Sequence, residues 1–191
     1  MIRVEQFVSK YHQLSPSSMK EFKKLFVLKK FKKNEIIYRS GEASSRFFIL
    51  IDGLTRSVVI DSNGKEKTRS IFKAPDIFTS LAASLKLEPS NSEFNCLTNV
   101  ILFEGNLLEF IALTEKHHDI CILYNRFLEE AFIKMQDKAT VLSTLDATER
   151  YLHLKQRIPD IENLIQLNHI ASFLNITSIQ LSRIRKKIFS K

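Results

Sequence analysis

The feature that most constrains the fold lies between Phe31 and Gly105. Apolar and polar residues alternate there in short runs, and turn signals part the runs roughly every 8–12 residues. All four glycines, Gly41, Gly53, Gly64 and Gly105, fall inside this stretch or at its exit. "EIIYRS" leads to Gly41, "RFFILID" leads to Gly53, and "LTRSVVIDSNGKEKTRSIF" sets Asn63-Gly64 between two alternating runs. Asn-Gly in that position is the strongest short-range hairpin signal, because both residues tolerate positive φ. Strands continue through "NCLTNVILFEG". Many short strands with regular turns predict a barrel, roll or sandwich.

Helical patterns flank this block. Residues 1–30 read as helical, with one helix opening near Ser15–Pro16, since Pro suits a first helical turn. After Gly105, "NLLEFIALTEK" predicts a short helix and the next stretch a long one from about His117 to Leu142. Along the long helix, Cys121, Tyr124, Leu128, Ala131, Met135, Lys138 and Leu142 recur at alternating spacings of three and four. That is a heptad seam with one charged interruption, and it predicts a two-stranded homodimer. Phe127, Phe132 and Ile133 lie on other faces and predict that the helix also packs on its own β-block. "LDATERYLHLKQRIPD" restarts a helix, with Asp146 and Glu149 as a capping box and Pro159 as its stop.

Near the end stands "LNHIASFLNITSIQLSRIRKK", Leu167 to Lys187. Leu167–Leu174 reads as a helix with Ile170, Phe173 and Leu174 on one face and Ala171 where a second helix approaches closely. Asn175 sits at the turn, where φ > 0 is often required and Asn tolerates it best after Gly. Thr177 and Gln180 form a second capping box, so the next helix opens near Ser178. Leu181, Ile184 and Ile188 make its buried stripe, which turns Ile179, Ser182, Arg183 and Lys186 outward. The pattern is that of a helix-turn-helix. The N-terminal end of such a second helix meets base edges in the major groove, so Ser178, Ile179, Ser182, Arg183 and Lys186 are the expected readers of double-stranded DNA. Arg183 suits guanine O6 and N7, and Ile179 suits a thymine methyl. Arg185, Lys187 and Lys191 are expected on phosphates.

Charge agrees with that expectation. The formal net charge is +8, and from residue 163 to 191 there are five bases and no acid. A polyanionic partner is favoured by such a balance. A second basic run, Lys20 to Lys33, interleaves with Phe22, Leu25 and Phe26 and reads as the solvated side of a helix and the strand after it. No apolar run approaches the roughly 20 residues of a membrane helix, so no membrane association is expected. Cys96 and Cys121 are far apart and read as buried thiols of a reducing, cytoplasmic setting. His117 and Cys121 stand at a helical i, i+4 spacing, but two candidate ligands are a weak metal signal, and no metal or cofactor is expected. No nucleophile elbow, acid pair or Gly-rich phosphate loop is present, which argues against an enzyme.

The order of elements, with "KNEIIYRSGEASSRFFILIDGLTRSVVIDSNGKEKTRSIF", "DATERYLHL" and "HIASFLNITSIQLSRIRKK", resembles the Crp/Fnr family of bacterial transcription regulators over nearly the whole chain. The resemblance implies an α+β fold. A cyclic-nucleotide-binding-like double-stranded β-roll would occupy residues 1–116, a dimerisation helix 117–143 and a helix-turn-helix DNA-binding domain 144–191. It implies a homodimer on a palindromic promoter site, with RNA polymerase as a further candidate partner. The family usually carries a β-wing before the helix-turn-helix, and only "ENLIQL" is available for one, so a short wing is expected.

Cyclic-nucleotide-binding members carry a Gly-Glu pair and then an Arg-Ser pair in the pocket. Thr79-Ser80 falls at the first position here and Ser92-Glu93 near the second, so neither pair is present. Between Arg69 and Arg126 there is no arginine, and from Pro75 to Thr98 the only base is Lys86. Thr79, Ser80, Ser90, Asn91 and Ser92 remain as candidate pocket residues for an effector that the sequence does not identify. Clustered N-terminal cysteines of Fe–S-sensing relatives are absent too. The alternative is a ligand-sensing or adaptor dimer that does not act through DNA.

Overall fold

The computed structural model describes residues 4–61 and 63–189, the last by its backbone alone. Lys191, one of the expected phosphate contacts, lies outside the described residues. The elements run α1 (Val4–Val8), α2 (Pro16–Lys24), β1 (Phe26–Phe31), β2 (Ile36–Tyr38), β3 (Arg46–Asp52), β4 (Leu54–Ile60), β5 (Glu66–Lys73), β6 (Asp76–Thr79) and α3 (Leu81–Lys86). There follow β7 (Ser92–Cys96), β8 (Val100–Asn106), α4 (Leu107–Thr114), α5 (His118–Thr144), α6 (Ala147–Arg157), α7 (Ile161–Leu164), α8 (Leu167–Phe173) and α9 (Ser178–Phe189).

Two antiparallel four-stranded sheets form the roll, in the orders β1-β8-β3-β6 and β2-β7-β4-β5. The apolar run of β3 explains how the layers stack. Phe48 and Leu50 point between the sheets, where they join Ile37, Tyr38, Phe78, Phe94 and Leu102. Phe47, Ile49 and Ile51 point the other way, onto Phe7, Phe22, Phe110, Ile120, Leu123 and Phe127 of the helices. A strand covered on both faces loses the polar alternation of a half-exposed one. Register is therefore strongly specified, because both sets of side chains are buried.

The Asn63-Gly64 hairpin forms as expected, joining β4 to β5 with Gly64 at φ 75. Gly53 turns β3 into β4 at φ 91, and a Cβ there would lie 2.2 Å from the Asn99 carbonyl oxygen. Only glycine fits that close approach. Ser15 caps α2, with Pro16 in its first turn. The helical expectation for residues 1–30 holds only to Lys24, because β1 starts at Phe26 and pairs with β8 along its whole length. Its Phe26 ring, packed on Phe22 and Phe47, outweighs the helical pattern that its lysines continue.

α5 lies on the roll by one side. Lys134 reaches buried Asp76 at 2.7 Å, and the Lys138 ammonium donates to the Arg69 carbonyl. The expected short wing is absent among the described residues. "ENLIQL" instead holds most of α7 and the start of α8, because Ile161 and Ile165 are buried against Tyr151, Leu154 and Ile158 and call for a helical spacing of four. No helix among the described residues is long and apolar enough to cross a membrane.

Candidate nucleic-acid interface and sensor pocket

The helix-turn-helix is built as its sequence suggested. α8 ends at Phe173 with Leu174 as its C-cap, Asn175 takes φ 57, and the Ile176 amide donates back to the Ala171 carbonyl at 3.0 Å. The capping box of α9 is complete: the Gln180 amide donates to Thr177 Oγ1 at 3.1 Å, and the Thr177 amide donates to Gln180 Oε1 at 2.9 Å. Leu181 is fully buried, with Ile184 and Ile188 packed beside it. Ser178, Ile179, Ser182, Arg183, Lys186 and Lys187 are exposed, Ile179 to 67%. So large an exposed aliphatic on a surface helix has no packing role in the chain itself.

Arg185 has a partner within the chain. Its Nε donates to Glu162 at 2.6 Å, and the same carboxylate accepts from Tyr151 and lies 3.5 Å from the Lys155 ammonium. Burial opposes ionisation of Glu162, but the Tyr151 hydroxyl and the Arg185 guanidinium outweigh it and hold its pKa below the ordinary value. Arg185 therefore fastens α9 to α6 and α7. Its charge is offset before any phosphate is near.

The helix-turn-helix also rests on the roll. Leu54, Ile71 and Leu97 of the roll share one apolar cluster with Tyr151, Leu154, Ile170, Leu174 and Leu181. The Thr68 amide of β5 donates to Ser172 Oγ at 2.9 Å, and the Lys138 ammonium sits 5.5 Å from the Phe173 ring centre. Arg56 of β4, 8% exposed, lies 2.9 Å from His169 Nδ1 and pairs with Glu66 at 2.9 Å. Beside these contacts opens a polar cleft of about 470 Å³, walled by Lys65 and Lys67 of the hairpin and by Thr177, Ser178 and Gln180 of the turn.

Along α5 the expected seam residues divide. At about 100° per residue, Cys121, Leu128, Met135 and Leu142 stay within roughly 40° of one line, and Leu142 also borders a cleft with Arg150, Leu154 and Phe173. Met135 and Leu142 are exposed, Leu128 and Cys121 half-buried and Ala131 exposed. Tyr124 instead packs edge-on against Phe110 of its own core, and Lys138 faces the roll. Phe132, exposed to 61%, takes a place in the outward stripe that the sequence reading gave to Ala131. Phe127 does pack on the roll, whereas Phe132 and Ile133 do not.

In the roll, the five expected pocket residues come together around α3, closed on one another. Ser80 and Ser90 hydroxyls lie 2.8 Å apart, and Ser90 Oγ donates to the Ser92 carbonyl at 3.1 Å. Ser92 Oγ donates to Asn91 Oδ1 at 3.3 Å, and Thr79 Oγ1 donates to the Arg46 carbonyl at 2.8 Å. The sequence reading missed Arg46. Its guanidinium stacks 4.8 Å from the Tyr38 ring centre, pairs with Glu42 and donates to the Ile37 carbonyl at 3.3 Å. Arg46 thus meets Thr79 through its backbone carbonyl, while its guanidinium is engaged by a carboxylate. Its place at the start of β3, about 33 residues before Thr79, gave the sequence no local signal of this proximity.

His117 and Cys121 do not form a metal site with a third ligand among the described residues. His117 Nδ1 lies 3.2 Å from Ser18 Oγ, which donates to Asp119 at 2.7 Å. Ser18 is 2% exposed and its carboxylate partner binds the hydroxyl directly, so these three residues close the ends of α2 and α5. Burial pushes the Cys96 thiol up to about 12, which keeps it protonated, and Cys121 is only half-buried.

Comparison with known proteins places this geometry. Residues 28–117 match the cyclic nucleotide-binding domain family. No curated protein sequence matches the chain. Among solved structures, FixK2 from Bradyrhizobium japonicum superposes with a TM-score of 0.71 at 16% identity, covering 86% of this chain and 85% of that one. The c-di-GMP-responsive global regulator CLP from Xanthomonas campestris gives 0.70 at 13% identity, covering 92% of each chain. A CooA mutant from Carboxydothermus hydrogenoformans gives 0.67 at 17% identity, covering 98% of this chain and 84% of that one. Residues 28–117 therefore resemble the cyclic nucleotide-binding domain family, and the chain as a whole shares its fold with these structures and with a protein from Eubacterium rectale assigned to the Crp/Fnr family of transcriptional regulators.

Proposed function

We propose that the chain is a transcription regulator that binds a two-fold symmetric DNA site as a homodimer through α9. The observation that carries this reading is the box-capped α9, whose one side is buried through Leu181 while Ser178, Ile179, Ser182, Arg183 and Lys186 stand exposed. The acid-free stretch around them supplies the sequence-independent attraction to phosphates, with Lys187 beside the reading face. Dimerisation runs along the outward stripe of α5, through Cys121, Leu128, Phe132, Met135 and Leu142. Solved structures of the same fold include regulators, which supports a regulatory role over an enzymatic one. A gel shift tests the reading. Arg183→Ala costs about 1–3 kcal/mol on the preferred site and relaxes discrimination at one base pair, whereas Lys187→Ala weakens specific and random DNA alike. Equal losses on both DNAs for Arg183→Ala would remove the assignment.

The roll, in this reading, does not take a cyclic nucleotide in the family's usual way. A buried cyclic phosphate needs a paired cation, best an arginine fork. Arg46 is the guanidinium near the candidate pocket, and Glu42 already holds it. The effector is then a neutral or weakly charged molecule able to open the serine network.

A further inference from the structure

We propose that His169 is an acid-sensitive latch, holding the helix-turn-helix on the roll while neutral and releasing it when protonated. The inference stands on the chemistry of one contact. Arg56 Nη1 lies 2.9 Å from His169 Nδ1. A guanidinium has only donors, so Nδ1 must accept, and the imidazole must be the neutral tautomer with its proton on Nε2. Protonation removes that lone pair and sets two cations in contact at a site where Arg56 is nearly buried.

Three charged groups act on His169, Arg56 from β4, Glu66 from β5 and Lys33 from the turn between β1 and β2, and Lys65 and Lys67 of the hairpin line the same cleft. Two of the three are cations, and Glu66 is already paired with Arg56 at 2.9 Å. Burial first, then Arg56, lowers the His169 pKa from its ordinary 6.5. The released state therefore takes up a proton that the latched state resists. Attachment is fully supported above the ordinary histidine value and is lost as pH falls through the lowered one. The effect is about tenfold in the attachment equilibrium per unit of lowering. Thr68 on β5 reports attachment independently, because its amide donates to Ser172 Oγ of the same α8.

The consequence for function rests on the DNA-binding reading. Ile179, Arg183 and Lys186 are exposed while α8 is attached, so the latch presents the reading face at a fixed angle to the roll. Release leaves phosphate attraction intact and lowers discrimination between specific and random DNA.

The test uses the full-length protein without DNA. Amide exchange at Thr68 is followed from about pH 8 to pH 5.5, corrected for intrinsic chemistry, while the His169 ring is titrated by NMR. Wild-type protection at Thr68 falls with acid, and His169 titrates below 6.5. His169→Gln keeps an acceptor for Arg56, so Thr68 stays protected at every pH. His169→Lys exposes Thr68 throughout, and if that variant does not fold, the glutamine variant decides. Protection that is flat with pH in the wild type, or a ring titrating at or above the ordinary value, overturns the latch. DNA binding is measured separately: an acid-labile Thr68 amide without DNA binding supports the latch and removes the regulator reading, whereas DNA binding with pH-flat protection does the reverse.

Discussion

Glu162 ties three C-terminal helices to one carboxylate, and its removal is the perturbation whose size the structure specifies best. Tyr151 is fully buried, and its hydroxyl donates to Glu162. In Glu162→Ala that hydroxyl loses its partner out of reach of water, a cost of about 1–3 kcal/mol. Arg185 loses a bond at 2.6 Å, but its side chain is 32% exposed and regains water, so it adds little to that figure. The expected loss is about 2 kcal/mol, or a fall of about 4–8 °C in the melting temperature for a chain of this size. Glu162→Gln keeps an acceptor for Tyr151 and loses less, about 1 kcal/mol. Thermal and urea unfolding followed by circular dichroism give both numbers. The pH dependence has a definite sign. The native pKa of Glu162 is lowered, so its contribution is present above the ordinary 4.5 and disappears as pH falls through the lowered value. Glu162→Gln should flatten that acid limb. A change within about 0.5 kcal/mol for Glu162→Ala, the range of ordinary surface substitutions, would refute the reasoning.

Three further outcomes follow from other parts of the fold. Phe132→Asp with Met135→Asp places charges in the outward stripe of α5, which should give monomers by light scattering with an unchanged circular dichroism spectrum; a persistent dimer would move the interface elsewhere. Gly53→Ala forces a Cβ to within 2.2 Å of the Asn99 oxygen at a positive φ, so a loss of roughly 1–3 kcal/mol is expected in urea unfolding, and a neutral result would mean that the turn relaxes freely. Calorimetry with cyclic AMP and cyclic GMP should show no binding at low micromolar concentration. Tight binding abolished by changes at Ser80 or Arg46 would show that Arg46 leaves Glu42 to take a phosphate.

Much of this was legible from local patterns. The hairpin at Asn63-Gly64, the helix start at Ser15–Pro16, the boxes at Asp146 and Thr177 and the positive φ of Asn175 depend on a few adjacent residues, and each formed as read. Contacts between distant segments were not legible. β1 is a strand because β8 pairs with it, about 75 residues later, while its own lysines fit a helix as well. Arg185 resembles a phosphate contact until α7 brings Glu162 beneath it. A heptad count along α5 does not tell which flank the roll covers, so it set Tyr124 and Lys138 in the outward stripe although both face the chain's own roll and core. Arg46 and His169 matter only through partners on other strands and helices.

We propose above that α9 reads a two-fold symmetric DNA site from a dimer. Selection of random duplexes by the full-length protein tests it most directly. Enrichment of an inverted repeat is expected, with half-sites about 34 Å apart, one helical turn, and loss of enrichment at one symmetric base pair in Arg183→Ala. Recovery of unenriched DNA, held with the same affinity and salt dependence as any other duplex, would contradict it.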